Sequence, residues 1–126
     1  MKINIRFPAY RVEAELYDTP TARAIYEILP ITRNVNRWGE EVYIEVPVRS
    51  PLEPGAKAEV EVGELAYWPN MPAFCIFFGP TPVSRGDRPV AASPVNVLGK
   101  LSIVDREQLR GIHEGENVTI EKTVPA

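Results

Sequence analysis

A chain of 126 residues suits one domain, over residues 1–126, that buries enough apolar surface to fold without a metal or a disulfide. Its 17 acidic and 14 basic residues give a net charge of −3 and are spread along the chain, which excludes the basic surface that nucleic-acid binding needs. The single cysteine and single histidine exclude an internal disulfide and a one-chain zinc site of soft ligands, and no apolar run is long enough for a signal peptide or a membrane span.

These properties predict a cytoplasmic protein with no metal, no cofactor, and neither nucleic acid nor membrane as a partner. The composition also matches that of heat-adapted proteins, because it combines 13 prolines with only one cysteine and two methionines. We therefore expect a thermophilic protein with a high melting temperature.

Two strands and a helix open the chain. Polar and apolar residues alternate over Lys2–Phe7 and again over Tyr10–Tyr17, which predicts two half-buried strands. Thr19 can cap a helix whose first residue is Pro20, and Pro30 disfavours its continuation. The apolar residues of this helix recur at helical spacing: Ala22, Ile25, Tyr26 and Leu29.

A hairpin is expected next. The segments Ile31–Trp38 and Glu41–Val48 flank the dipeptide Gly39-Glu40, a short connection that suits two antiparallel strands. In the second strand the valines and isoleucine share one face, so Tyr43 and Glu45 should lie on the outward face.

The middle of the chain combines an interrupted strand with a wholly apolar one. Glu59–Trp68 changes its alternation near Gly63, which we interpret as a β-bulge. Phe74–Phe78 is apolar at every position, which predicts a strand covered on both faces.

A long irregular segment precedes the last elements. The 17 residues Gly79–Val95 contain four prolines, and such an excursion is typical of a binding loop or lid. Asn96–Leu101 is predicted as a strand, Asp105 as the cap of a short helix that reaches Ile112, and residues 117–120 as a closing strand. This gives about eight strands and two helices.

The order of these elements resembles that of cyclophilins. Three segments are similar to cyclophilin segments in the same order: the helix start Asp18–Ala22, the strand Asn96–Leu101 and the final strand Asn117–Ile120. The resemblance implies a mainly β fold, a closed eight-stranded antiparallel barrel capped by two helices.

A more specific resemblance covers most of the chain. The segments Trp38–Tyr43 (WGEEVY), Gly63–Pro69 (GELAYWP) and Phe74–Ser84 (FCIFFGPTPVS) resemble those of small prokaryotic proteins described as cyclophilin-like. Membership in that family implies the barrel but assigns no activity.

Cyclophilin isomerases suggest one enzymatic alternative. Their catalytic arginine stabilises the twisted prolyl amide, and Arg37 lies in a comparable place in this chain. However, Glu45 stands where cyclophilins carry a neutral glutamine, and residues 79–95 contain no Trp or His. The alternative is therefore a peptidyl-prolyl cis-trans isomerase that uses Arg37; otherwise Arg37 and Glu45 form a cross-strand surface pair.

The preferred hypothesis is a binding domain with no or weak isomerase activity and no assigned catalytic residue. Its ligand, a peptide segment or a small molecule, would occupy an outer groove, and assembly into a homo-oligomer is left open. The expected groove residues are Arg37, Tyr43, Glu45, Trp68, Phe74 and Asn96.

Other chemically active side chains have two interpretations each. The aromatic rings of Trp38, Tyr67 and Trp68 can form a binding wall or fill the ends of the barrel. Cys75 lies in an apolar strand, which favours a packed thiol over a nucleophile. The carboxylates of Glu40, Glu41 and Glu64 suit a hard cation, but a solvated rim is preferred.

Overall fold

Ten strands and two helices occupy residues 1–123, the part of the chain that this computed structural model describes. In chain order they are β1 (Lys2–Arg6), β2 (Arg11–Leu16), α1 (Pro20–Glu27), β3 (Ile31–Asn34), β4 (Asn36–Arg37), β5 (Glu41–Glu45), β6 (Lys57–Glu59), β7 (Glu64–Trp68), β8 (Ala73–Phe77), β9 (Val90–Leu101), α2 (Arg106–Arg110) and β10 (Asn117–Lys122).

The strands form one antiparallel sheet that is not closed. Hydrogen-bonded neighbours follow the order β3-β10-β1-β2-β9-β7-β8-β5-β4, and β6 pairs with β9 outside this path. The predicted closed eight-stranded barrel is therefore wrong, because β3 and β4 end the path and do not pair with each other. The mainly β class and the two helices are confirmed.

The interruption has a local cause at Val35. Its N–H donates to the carbonyl of Glu116 at 2.8 Å, and its carbonyl accepts from the N–H of Gly115 at 2.8 Å. The segment predicted as one strand, 31–38, is thereby divided: β3 pairs with β10 and β4 pairs with β5. Each half takes a different partner, so the ladder ends on both sides of Val35.

Both helices begin where their caps predict. The hydroxyl of Thr19 accepts the N–H of Ala22 at 3.2 Å, and Pro20 is the first residue of α1. The carboxylate of Asp105 accepts the N–H of Gln108 at 3.1 Å at the start of α2, which ends at Arg110, short of the predicted Ile112. Within residues 1–123, neither helix has the length and apolar character to cross a membrane.

Apolar side chains pack on both faces of the sheet at β8. On one face Phe74 and Ile76 join the main core, which includes residues of β1, β2, β5 and both helices. Successive strand residues point to opposite faces, so Cys75 and Phe77 point away from this core. They belong to a second cluster, here called the outer layer: Val60, Ala66, Ala73, Cys75, Phe77, Ala91 and Val95. The prediction that Phe74–Phe78 is covered on both faces is confirmed.

Two predictions about the connections are wrong. The irregular segment after β8 is shorter than expected, because β9 begins at Val90 and includes Pro94. Glu59–Trp68 comprises the last residue of β6, a turn and the whole of β7, and Gly63 lies in that turn with φ +94°. The register irregularity falls between Leu65 and Ala66 on β7, opposite β9.

Candidate functional site

An apolar pocket opens on the outer face of the sheet, on the side of the outer layer. Its volume is about 210 Å³. The hairpin turn and strands β5, β7, β8 and β9 contribute its lining: Trp38, Glu41, Tyr43, Trp68, Cys75, Phe77, Ala91, Ala92 and Val95. Several of these residues belong to the three segments that carry the family resemblance.

Strand register brings the polar groups of this pocket together. Glu41 lies opposite Phe77, and Tyr43 lies opposite Cys75, in the antiparallel pair β5–β8. Residues two apart share a face, so Glu41 and Tyr43 point to the same side as Cys75 and Phe77. This side is the outer layer, because Val42 and Ile44 between them face the main core.

The part of β9 that lines the pocket is irregular, and it includes Ala91, Ala92 and Val95. Lys57 pairs with Val95 and Glu59 pairs with Val90, so three residues of β6 (57–59) lie opposite six residues of β9 (90–95). The extra residues of β9 leave the ladder, as in other β-bulges. Within them, the hydroxyl of Ser93 accepts the indole N–H of Trp68 at 2.7 Å, which joins the bulge to β7.

Glu41 is the buried acid of the site. The residue is only 6% exposed, and its carboxylate takes part in no salt bridge among residues 1–123. Burial raises the pKa of the Glu41 carboxyl to about 7, and the neighbouring Cys75 thiol partly opposes that rise. The pocket therefore contains a carboxyl group that can gain or lose a proton near neutral pH.

Cys75 is a protonated, packed thiol. The residue is 1% exposed, and burial, followed by the charge of Glu41, raises the pKa of its thiol well above the usual value. Reactive cysteines have a lowered pKa and partial exposure. The arrangement thus agrees with the interpretation of Cys75 as a packing residue, although its side chain also lines the pocket.

The aromatic residues separate into two groups. Trp38 and Trp68 line the pocket together with Tyr43. Tyr67 faces the main core instead, where its hydroxyl donates to the carbonyl of Val48 at 2.7 Å and accepts the N–H of Ser50 at 3.1 Å. The wall interpretation suits the two tryptophans, and the packing interpretation suits Tyr67.

Arg37 does not line this pocket, because its guanidinium binds the end of α2. Its Nη1 donates to the carbonyls of Arg110 and Ile112, both at 2.8 Å, and its Nε donates to Gly39 at 3.1 Å. The guanidinium also lies 5.5 Å from the ring centroid of Phe78. Among residues 1–123 no salt bridge joins Arg37 to Glu45, so the expected surface pair does not form.

The other expected groove residues lie elsewhere. Glu45 is exposed beside Arg33 and Pro72, outside the pocket. Phe74 is buried in the main core. Asn96 is also buried: its Oδ1 accepts the N–H of Glu53 at 2.8 Å, and its Nδ2 donates to Pro51 and Thr21. Of the predicted groove residues, the structure brings only Tyr43 and Trp68 together in this pocket.

Glu41 was not among the expected groove residues, although the sequence contains a signal for it. Glu41 and Tyr43 share the outward face of β5, the neighbour of a strand predicted to be covered on both faces. The side chains beside such a strand are expected to be partly covered as well. Glu41 is buried in the structure, so the solvated-rim interpretation is wrong for this residue.

The other two acids of the expected rim are held by basic side chains. Glu40 Oε1 lies 2.8 Å from the Nε of Arg110 and 3.7 Å from the Nη2 of Arg106. Glu64 lies 3.7 Å from the Nζ of Lys57. Within residues 1–123 no three carboxylate, thiol or imidazole groups gather as metal ligands would.

The segment Trp38–Tyr43 packs directly on Phe74–Ser84. A Cβ atom added at Gly39 would lie 2.9 Å from the Cα of Thr81 and 2.9 Å from the Cδ of Pro82. Gly39 also has φ +60°, a conformation that favours glycine. The N–H of Glu40 donates to the carbonyl of Pro80 at 2.9 Å, so a backbone hydrogen bond also joins the two segments.

Comparison with known proteins places this fold in a family. The sequence model of the cyclophilin-like family matches residues 1–121. The solution structure of the hypothetical protein AF2241 from Archaeoglobus fulgidus is 41% identical, with a TM-score of 0.81 over 98% of this chain and 95% of that one. The structure of McbB in complex with tryptophan shares the fold at 13% identity, with a TM-score of 0.72 over 98% of this chain and 45% of McbB.

No curated protein sequence matches the chain. The family match nevertheless covers almost all of it, and AF2241 matches it over nearly its whole length. The expected resemblance is thereby confirmed: the chain belongs to the cyclophilin-like family.

Proposed function

We propose that the chain binds a small, largely apolar ligand in the pocket on the outer face of its sheet. The observation that supports this most is a cavity of about 210 Å³ with Trp38, Tyr43 and Trp68 in its lining and one buried carboxyl, that of Glu41. Ligand sites are typically concave and apolar, with a few well-placed polar groups. A cavity of about 150 Å³ accepts benzene, so this one suits a substituted ring.

An extended peptide fits this pocket less well than a small molecule. Peptides often bind by adding a strand to a free sheet edge. Here β5, β7 and β8 each pair with strands on both sides, so these three strands of the pocket offer no free edge. A peptide therefore fits best by inserting a single side chain into the cavity.

Tryptophan fluorescence provides a direct test. The chain has two tryptophans, and both line the pocket. Titration with ring-sized compounds that do not emit in the range of indole, such as toluene, benzyl alcohol and cyclohexanol, should change the emission in a saturable manner. An unchanged emission at millimolar concentrations of every compound would contradict the proposal.

A pocket-filling variant adds a matched control. Ala92 lines the pocket and is exposed, so Ala92→Leu should fold normally and reduce ligand affinity by obstructing the cavity. Ala58→Leu, on β6 and outside this pocket, should bind as the wild type does. Equal loss in both variants would show that binding does not occur in this cavity.

No observation specifically favours the isomerase alternative. The guanidinium of Arg37 donates to three carbonyls near α2 and the hairpin, and it is not among the pocket residues. A protease-coupled isomerisation assay is the check: a rate above background in the wild type would support that alternative.

A further inference from the structure

We infer that the pocket selects a ligand with a protonated amine, which forms an ion pair with the carboxylate of Glu41 while its ring lies among the aromatic side chains. This inference rests on the proposed small-ligand function. It specifies the ligand class that the site takes, which the family match does not.

The first argument is that the Glu41 carboxylate has no cationic partner among the described residues. It is more than nine-tenths buried, lines the pocket, and has no salt-bridge partner among the residues that the structure describes. A buried carboxylate without a cation is costly, because desolvation is not offset by an opposite charge. A ligand that brings the cation supplies the missing partner.

The second argument is the character of the remaining lining. Trp38, Tyr43 and Trp68 present aromatic rings, which attract cations through their quadrupoles. No Lys, Arg or His is among the pocket residues, so an anionic ligand would meet Glu41 without compensation. The hydrogen bond from Trp68 to Ser93 fixes one of the rings before a ligand arrives.

The protonation of Glu41 adds a pH dependence. With an empty pocket the carboxyl has a pKa of about 7, so at acidic pH it must release its proton before it can pair with an amine. Affinity for the cation should therefore rise with pH up to about pH 7 and level off above it.

The other titratable groups that line the pocket do not exchange a proton near neutral pH. On β5 the pKa of Tyr43 is raised by burial and by the charges of Glu41 and Glu114, and on β8 the pKa of Cys75 is raised well above its usual value. The lining residues of β7 and β9 are Trp68, Ala91, Ala92 and Val95, none of which titrates. Glu41 is thus the pocket residue to which the pH dependence is assigned.

Three probes of similar size separate the charge preference from simple apolar binding: phenethylamine, 2-phenylethanol and phenylacetate. Their affinities are measured on the wild-type protein by tryptophan fluorescence, at about pH 5 and about pH 8. We expect the amine to bind about tenfold more tightly than the alcohol at the higher pH, and phenylacetate to bind weakest. The advantage of the amine should largely disappear at the lower pH.

Two substitutions locate the effect. Glu41→Gln should remove the preference for the amine and its pH dependence while retaining the binding of 2-phenylethanol. Glu40→Gln is the matched control, because its carboxylate lies next in sequence but pairs with Arg106 and Arg110. It should bind all three probes as the wild type does.

The outcomes distinguish this inference from the proposed function. If 2-phenylethanol binds as tightly as phenethylamine at the higher pH, the pocket is a ligand site but the amine preference is wrong. If none of the three probes binds, the proposed function fails and this inference fails with it. The probe comparison uses only wild-type protein, so it remains decisive even if Glu41→Gln does not fold.

Discussion

Glu41 and Glu40 are adjacent residues with opposite environments. The side chain of Glu40 pairs with Arg106 and Arg110, whereas that of Glu41 points into the pocket. Strand alternation begins at this point, since Glu41 is the first residue of β5 and the hairpin turn ends at Glu40. In the sequence the two acids look equivalent, because composition does not reveal which of them falls on the covered face.

Glu41 should make stability depend on pH. In the unfolded chain the carboxyl loses its proton near its ordinary pKa of 4.5, but in the folded protein it does so only near 7. The contribution of the protonated group is therefore complete below the lower value and is lost as pH rises through the higher one.

The variant Glu41→Gln cannot ionise, so its stability relative to the wild type should increase by about 3 kcal/mol between about pH 4 and about pH 8. Urea unfolding of both proteins at several pH values measures this difference. Parallel stability curves for the two proteins would show that the carboxyl is not perturbed.

Arg37 is expected to stabilise the fold and not to bind the ligand. Its guanidinium donates to the carbonyls of Arg110 and Ile112, at the end of α2. Arg37→Ala should lower the free energy of unfolding by about 2 kcal/mol, since hydrogen bonds to a charged group are lost. It should leave the affinity for pocket ligands within about twofold of the wild type.

Arg33→Ala is the matched control for that substitution. Arg33 is exposed on β3, and its Nη1 donates to the carbonyl of its neighbour Thr32 at 3.0 Å. Its unfolding free energy should change by no more than about 0.5 kcal/mol. A similar loss in both variants, or a selective loss of ligand binding in Arg37→Ala, would refute the role given to Arg37.

At the scale of elements, local signals predicted most of what the structure contains. Thr19 and Asp105 cap the two helices as expected, and the apolar run Phe74–Phe78 is covered on both faces. The sequence predicts that this strand begins at Asn96, too late by six residues, because a proline such as Pro94 is unusual within a strand. Pro94 is accommodated because it lies in the irregular part of β9, where the ladder with β6 is interrupted.

The close packing of β9 against β2 depends on Gly99. A Cβ atom at this position would overlap the backbone carbonyl of Glu15, and strand backbone is not free to move away. Gly99→Ala should therefore destabilise the protein by about 3 kcal/mol. In Gly86→Ala the added atom meets no heavy atom within 4 Å, so the change should stay within about 0.5 kcal/mol.

Chemical denaturation of the two glycine variants measures the difference. Equal stabilities for Gly99→Ala and Gly86→Ala would mean that β2 and β9 can separate at this point without cost. The close approach would then be no constraint on the sequence of β9.

At the scale of the whole molecule, the resemblance to cyclophilins predicted the class of the fold correctly, but its prediction of a closed sheet is wrong. Alternation over 31–38 indicates a strand but does not identify its partners. Those partners are determined at Val35, whose backbone pairs with Gly115 and Glu116 and separates β3 from β4. The pocket likewise requires β5, β8, β7 and β9 to lie side by side, an order of strands that alternation within each strand does not reveal.

Composition and surface charge both favour a high melting temperature. Besides its 13 prolines, the chain has two groups of three linked charges: Arg88 lies 3.7 Å from Glu59 and 3.5 Å from Glu61, and Glu40 pairs with both Arg106 and Arg110. Networks of this kind become more favourable on heating, although isolated surface pairs contribute little at room temperature.

We expect calorimetry to give a Tm above about 65 °C, the upper end of the usual mesophile range. A value between about 45 and 65 °C would contradict the thermophilic interpretation. It would leave the pocket and the binding proposal unaffected, because neither depends on the melting temperature.

The most direct test of the binding proposal is a crystal structure of the protein soaked with phenethylamine. The proposal predicts density for the ring among Trp38, Tyr43 and Trp68, with the amine within about 3 Å of the Glu41 carboxylate. Density only on another surface, such as that between Arg33 and Pro72, or an empty pocket at a saturating concentration of the amine, would contradict it.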